Sequence, residues 1–131
     1  MSKPVILCVD DERMVLDSLR AQLVAAFGDD YIYEGAEDAE EALEVINDLE
    51  EDDVNVVLII SDWLMPGIRG DELLIEIHKK YPNVIKIMLT GQADEEAIDR
   101  AKTQANLHRC LSKPWLEAEL LETIRSGLSK L

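Results

Sequence analysis

Two rhythms of apolar residues alternate along the chain. The run VILCV at 5–9 is apolar throughout and stops at Asp10-Asp11, the pattern of a buried strand. Over 12–27 the spacing changes. Val15, Leu19, Leu23 and Phe27 recur every four residues with Leu16 beside them, which predicts a helix, and Gly28 is a natural stop. YIYEGA at 31–36 reads as a short strand, and Asp38 suits the cap of a second helix carrying Ala42, Leu43, Ile46 and Leu49. The acids at 50–53 are expected to form a solvated turn. VNVVLIIS at 54–61 is apolar at nearly every position, as in a strand covered on both faces in the middle of a parallel sheet. A third helix fits 71–81, with Leu74, Ile77 and Tyr81 on one stripe and Pro82 ending it. VIKIML at 84–89 is a fourth strand, stopping at Thr90-Gly91. The fourth helix, about 94–104, has only Ala97, Ile98, Ala101 and Ala105 as its apolar side, which predicts weak docking and mobility. LHRCLS at 107–112 is the fifth strand. Lys113-Pro114 leads into a last helix with Leu116, Leu120, Ile124 and Leu128 on one face.

The order is therefore strand, helix, five times over. Such alternation implies an α/β fold, doubly wound, with a five-stranded parallel sheet between two layers of helices and right-handed crossovers. No internal repeat, low-complexity tract or linker interrupts it, and 131 residues suit one domain over 1–131.

Composition narrows the function. A hydrophobic fraction of 47% with only 5% aromatics calls for an aliphatic core. The formal net charge of −15 disfavours nucleic acid as a direct partner, because phosphate backbones need clustered Lys and Arg. It leaves room for a basic protein partner or a divalent cation. Neither a signal peptide nor a segment long enough to span a membrane is evident, so a cytoplasmic protein without membrane association is expected. Cys8 and Cys110 form no CxxC motif and read as small hydrophobes in a reducing compartment. They lie on strands one and five. In the order 2-1-3-4-5, at ~4.8 Å between strands, they would be roughly 14 Å apart, too far for a disulfide.

The polar residues that matter sit where strands end. Strand one ends at Asp10-Asp11, strand three at Asp62, strand four at Thr90 and strand five at Lys113. In an open α/β sheet these carboxyl ends line the ligand crevice where strand order reverses. With the order 2-1-3-4-5, strands one and three are neighbours there, and Asp10, Asp11 and Asp62 converge. Grouped carboxylates repel unless a cation neutralises them. An all-oxygen site with few protein donors suits Mg²⁺, which completes its shell with water and phosphate. Lys113 adds a positive charge, Thr90 a hydroxyl, and Gly91 room for close approach. Together they describe a phosphoryl-binding site with Asp62 as nucleophile. His78 and His108 show no metal-ligand spacing and read as structural or exposed. Trp115 is expected to staple the last helix to the sheet edge.

With these residues placed, the chain resembles the receiver domain of bacterial two-component response regulators, of the chemotaxis-regulator kind. VDDE after strand one, SDWLMPGIRG after strand three, LTG at strand four and SKPW at strand five match in order over essentially the whole chain. The resemblance implies the flavodoxin-like (βα)5 fold with strand order 2-1-3-4-5. It implies that Asp62 accepts a phosphoryl group from a histidine kinase or phosphotransfer protein. The metal would be Mg²⁺, with Mn²⁺ able to substitute, held by Asp11, Asp62 and the Leu64 main-chain carbonyl directly and by Asp10 through water. Thr90 would bond a phosphoryl oxygen and move toward it, Lys113 would pair with the phosphoryl group, and the Lys113-Pro114 bond would be cis. The output would be a shift of the face formed by the fourth helix, fifth strand and fifth helix, read by an effector protein or a linked output domain, in a monomer or a phosphorylation-dependent dimer. No turnover of an external substrate is implied.

Some positions depart from the family pattern. The family's usual switch aromatic is replaced by Cys110, which has no ring to rotate. Leu64 cannot orient an attacking water by hydrogen bonding, so slow self-dephosphorylation is expected. Trp63 and Trp115 are similar to choices in receivers joined to cyclic-dinucleotide phosphodiesterase domains. Two other classes compete. A phosphatase of the haloacid dehalogenase type also uses an Asp nucleophile with Mg²⁺, but its nucleophile is followed two residues later by an acid/base Asp, where this chain has Leu64. A non-phosphorylated scaffold receiver would not need the intact acid cluster and Lys113.

Overall fold

The computed structural model describes residues 3–92 and 94–131. Its elements run β1 (Val5–Val9), α1 (Arg13–Phe27), a short 3-10 turn (Gly28–Asp30), β2 (Ile32–Ala36), α2 (Ala39–Glu51), β3 (Val56–Asp62), α3 (Gly70–Lys80), β4 (Ile85–Thr90), α4 (Glu95–Gln104), β5 (Arg109–Ser112) and α5 (Glu117–Leu128). The strands form one parallel sheet in the order β2-β1-β3-β4-β5, the doubly wound order expected from the sequence.

Alternation of side chains divides the core into two layers. Ile6, Leu58, Ile60, Ile87 and Leu111 pack with Leu19 and Leu23 of α1 and with Leu120 and Ile124 of α5. Leu7, Ile59 and Met88 point the other way, against Ala42 and Ile46 of α2, Leu74 and Ile77 of α3, and Ala97 and Ala101 of α4. β3 is buried at all seven positions, as a strand covered on both faces must be. Cys8 belongs to the first layer and Cys110 packs against the second, so the two thiols lie on opposite faces of the sheet and both are free.

Several boundaries differ from the sequence reading, each for a local reason. Glu50 and Glu51 are not a solvated turn but the last residues of α2. The Asp38 carboxylate caps that helix by accepting from the Glu41 N–H at 2.8 Å, and the apolar stripe carries it on. Glu50 Oε1 then accepts from the Val56 N–H at 3.2 Å, which links the helix end to the start of β3. Only Asp52 and Asp53 turn, with Asp53 at φ 59°. β3 begins at Val56 and includes Asp62, and β5 begins at Arg109 rather than residue 107. Trp115 packs against the core layer shared by the sheet, α1 and α5, and its Nε1 donates to Gln22 Oε1 of α1 at 2.8 Å.

The thin apolar stripe of α4 is real: Ala97 and Ala101 are its buried residues. A tie invisible in the sequence supplements it, because Arg100 forms an ion pair with the buried Asp71 of α3. β4 carries a second surprise. Lys86 is 1% exposed, and its ammonium donates to the carbonyl oxygens of Val84 at 2.7 Å and Pro82 at 3.4 Å. Among the described residues, no helix is long and apolar enough to cross a membrane.

Candidate functional site

Parallel register brings the strand tips level. Val9 pairs with Ala36 and Ser61, Asp62 with Leu89, and Thr90 with Ser112. Asp11, Asp62, Thr90 and Lys113 therefore enter one crevice of about 580 Å³, which Leu64 and Trp115 also line. Asp10 lies beneath it, fully buried. One carboxylate oxygen from each of Asp10, Asp11 and Asp62 lies within 4.8 Å of the others.

Lys113 is the positive charge in this cluster. Its Nζ donates to Asp10 Oδ2 at 2.8 Å and lies 3.3 Å from Asp62 Oδ1. The other oxygen of Asp10 accepts from the Glu12 N–H at 2.9 Å, fixing the carboxylate at the start of α1. Burial pushes the Asp62 carboxyl above its ordinary range, and the charges of Asp10 and Asp11 add to that push against the opposing pull of Lys113. Burial alone would lower the Lys113 ammonium. The Asp10 hydrogen bond and the charges of Asp62 and Asp10 outweigh it and hold the group above its usual value.

Three carboxylates thus face one ammonium, and burial with the neighbouring acids disfavours charge on Asp62. A hard divalent cation fits this set, since all the donors are oxygens and the missing charge is positive. Leu64 lines the same crevice with its side chain exposed, leaving its backbone at the rim.

Thr90 is also at the rim, but its hydroxyl is engaged elsewhere. It donates to the Gln92 carbonyl at 2.5 Å and accepts from the Gln92 N–H at 3.1 Å, a closed local turn. The backbone holds the two rims together, the Lys113 N–H donating to the Thr90 carbonyl at 2.9 Å. The Lys113-Pro114 peptide is cis. Cys110 stands apart from the crevice, half-buried on β5 against the core layer that contains α4. His78 and His108 lie outside the crevice, and each has one buried ring nitrogen without a hydrogen-bond partner, Nδ1 and Nε2 respectively.

The sequence reading missed the support behind Asp62. Gly70 opens α3 so close to the end of β3 that a Cβ there would fall 2.1 Å from the Asp62 carbonyl oxygen. Its N–H donates to the Trp63 carbonyl at 2.7 Å, and the Trp63 N–H donates to the Leu89 carbonyl at 2.8 Å. The Trp63 indole N–H reaches Asp71 Oδ1 at 3.1 Å, and the Ser61 hydroxyl donates to the Asp62 carbonyl at 2.9 Å. The one signal in the sequence was glycine at 70 just before a helix; an acid at the next position is ordinary at any helix start.

Known proteins resemble this chain in sequence and fold. The sequence model of the response regulator receiver domain matches residues 6–125. The hydrogenase transcriptional regulatory protein HoxA of Cupriavidus necator is 31% identical over 123 residues, which cover 94% of this chain and 24% of that protein. The chain thus spans about a quarter of that regulator's length. The signal receiver domain of an HD domain-containing protein from Pseudomonas fluorescens superposes with a TM-score of 0.87 at 34% identity, covering 98% of this chain and 97% of that one. A CheY-like response regulator receiver domain protein from Methanospirillum hungatei gives 0.85 at 32% identity, covering 98% and 96%. By fold, strand-end chemistry and sequence, the chain belongs to the response regulator receiver domain family of two-component systems.

Proposed function

We propose that Asp62 is the phosphoacceptor of a signalling switch, charged by a histidine kinase or histidine phosphotransfer protein. The observation that carries the reading is the cluster of Asp10, Asp11 and Asp62 around the Lys113 ammonium at the strand tips. A carboxylate oxygen of Asp62 attacks the phosphorus of a phosphohistidine, the P–N bond breaks, the imidazole leaves, and an acyl phosphate forms. Rigid β3 pairing and the α3 contact hold the nucleophile in place.

Asp11, Asp62 and the Leu64 main-chain carbonyl would hold Mg²⁺ or Mn²⁺, with Asp10 acting through water. When bound, the ion neutralises negative charge on the carboxylates and the transferring group. Lys113, now shared between Asp10 and Asp62, turns to the phosphoryl oxygens as a point charge. The Thr90 hydroxyl leaves the Gln92 carbonyl to donate to a phosphoryl oxygen. That exchange biases the α4–β5–α5 face between two conformers, and an effector or a linked output domain reads the difference. The protein acts in the cytoplasm as a monomer or phosphorylation-dependent dimer and turns over no external substrate. A strongly acidic chain makes direct nucleic-acid contact unfavourable.

The test is incubation with acetyl phosphate and Mg²⁺ followed by intact mass. One added phosphoryl group, absent in Asp62→Ala and without Mg²⁺, is expected. An unmodified wild-type chain, or equal modification of the variant, refutes the assignment.

A further inference from the structure

Asp71 is a fully engaged buried carboxylate at the start of α3. Its Oδ1 accepts from Trp63 Nε1 at 3.1 Å, and its Oδ2 pairs with the Arg100 guanidinium of α4. Trp63 directly follows Asp62, and the Arg69 guanidinium lies 6.0 Å from its ring centroid. A continuous chain of polar contacts therefore runs from the residue beside the nucleophile to the middle of α4.

The two ends of that chain differ in how firmly they are held. At one end, Trp63 is fixed by backbone bonds to β4 and to Gly70. At the other, α4 rests on small side chains, Ala97 and Ala101 being its buried residues. Arg100 is half-exposed, while the Asp71 side chain it meets is buried. The pair adds a polar tie to a helix held otherwise by Ala97, Ala101 and the partly buried Ile98. Glu72 lies 3.8 Å away as a weaker second partner.

We propose that the Trp63–Asp71–Arg100 chain is a latch that holds α4 in its resting position and opens when Asp62 carries a phosphoryl group. This rests on the phosphoacceptor reading above. Withdrawal of Thr90 from Gln92 moves the connection into α4, whereas the Trp63–Asp71 unit stays with β3. The Arg100–Asp71 contact spans the two parts and must stretch or break. It supplies a link between the phosphoryl site and α4 in a chain whose usual switch aromatic is Cys110.

Coupling of this kind is reciprocal: a contact that opposes the switched conformer also weakens any ligand that selects it. The probe is beryllofluoride with Mg²⁺, a phosphoryl mimic, titrated by calorimetry into wild type, Arg100→Gln and Arg100→Lys. Amide exchange of residues 95–104 is followed in parallel. Arg100→Gln should bind the mimic about five-fold more tightly and show, without ligand, the faster α4 exchange that wild type shows only when bound. Arg100→Lys, which keeps a charge to pair with Asp71, should return toward wild type. A residue that merely supports the fold would alter thermal stability but not this affinity. Equal or weaker binding by Arg100→Gln overturns the latch and leaves the phosphoacceptor reading intact. No binding by wild type overturns both.

Discussion

Lys86→Met should make the protein more stable at neutral pH and remove part of its pH dependence. The side chain is 1% exposed near the start of β4, with two carbonyl oxygens as its hydrogen-bond partners. Burial pushes the ammonium down from 10.5 to about 8. At 1.36 kcal/mol per pKa unit, less the part that solvent screens, keeping it charged in the folded state costs about 2–3 kcal/mol. Methionine keeps the apolar stem and removes that cost, but it leaves the Val84 and Pro82 carbonyls without their donor, a loss of about 1–2 kcal/mol. A net gain of about 1–2 kcal/mol is expected at pH 7. The unfolded chain keeps the Lys86 proton up to its ordinary pKa, whereas the folded chain releases it near 8. Wild-type stability should therefore climb between about pH 8 and 9 by up to about 1 kcal/mol. Cys8 then acts in the opposite sense. Its thiol is pushed up to about 12, so the folded state holds a proton that the unfolded state gives up from 9.0 onward, and stability falls. Urea unfolding of both proteins at pH 7, 8, 9 and 10 isolates Lys86, because Cys8 cancels in the difference. The advantage of the variant should shrink steadily above pH 8. The His78 imidazole, held low first by burial and then by the Lys86 charge, should titrate higher in the variant. An advantage that is constant across this range, or a variant less stable at pH 7, refutes the reasoning.

Asp62→Asn should abolish phosphorylation and modestly stabilise the fold at pH 7. The raised carboxyl pKa makes ionised Asp62 a cost at neutral pH that is relieved as pH falls through its folded-state value, so the variant should also lose stability dependence in the acid range; chemical denaturation at pH 4 and 7 checks both. Mg²⁺ should raise the melting temperature of wild type and much less that of Asp11→Asn, read by differential scanning fluorimetry. Gly70→Ala forces a Cβ against the Asp62 carbonyl and should destabilise by about 3 kcal/mol or leave the chain unfolded; wild-type stability in urea would contradict it. Leu64→Asn, which adds a hydrogen-bonding group at the rim, should shorten the acyl-phosphate lifetime severalfold in a phosphate-release assay, and an unchanged lifetime would exclude Leu64 as its determinant.

The sheet order and the convergence of Asp10, Asp11, Asp62 and Lys113 were legible because both follow from strand ends. An apolar run that stops at a charge marks a tip, and parallel pairing gathers the tips. What the sequence hid depends on side-chain reach or competition. Lys86 reads as one polar letter inside VIKIML, and only the positions of the Val84 and Pro82 carbonyls show how it stays buried. Thr90 was recognisable as a rim hydroxyl, but its engagement with Gln92 is a matter of local backbone geometry. Glu50 and Glu51 looked like a turn because acids crowd there, while the helix beneath was decided by the Asp38 cap and the buried stripe. Asp71 and Arg100 are 29 positions apart, and nothing local to either announces the other.

The contact between Gly70 and the Asp62 carbonyl makes the two walls of the crevice unequal in compliance. The β3 wall is backed by helix backbone, by Leu89 and by Trp63, and has no free space behind it into which to deflect. Opposite, Gly91 and Gln92 are exposed, and a side chain built at Gly91 would meet nothing within 4 Å. A bulky anion added at Asp62 therefore strains a stiff support and a soft one at once, and displacement goes to the soft one. On the phosphoacceptor reading proposed above, this mechanical asymmetry directs the signal outward past Gly91 and Gln92 before any partner arrives.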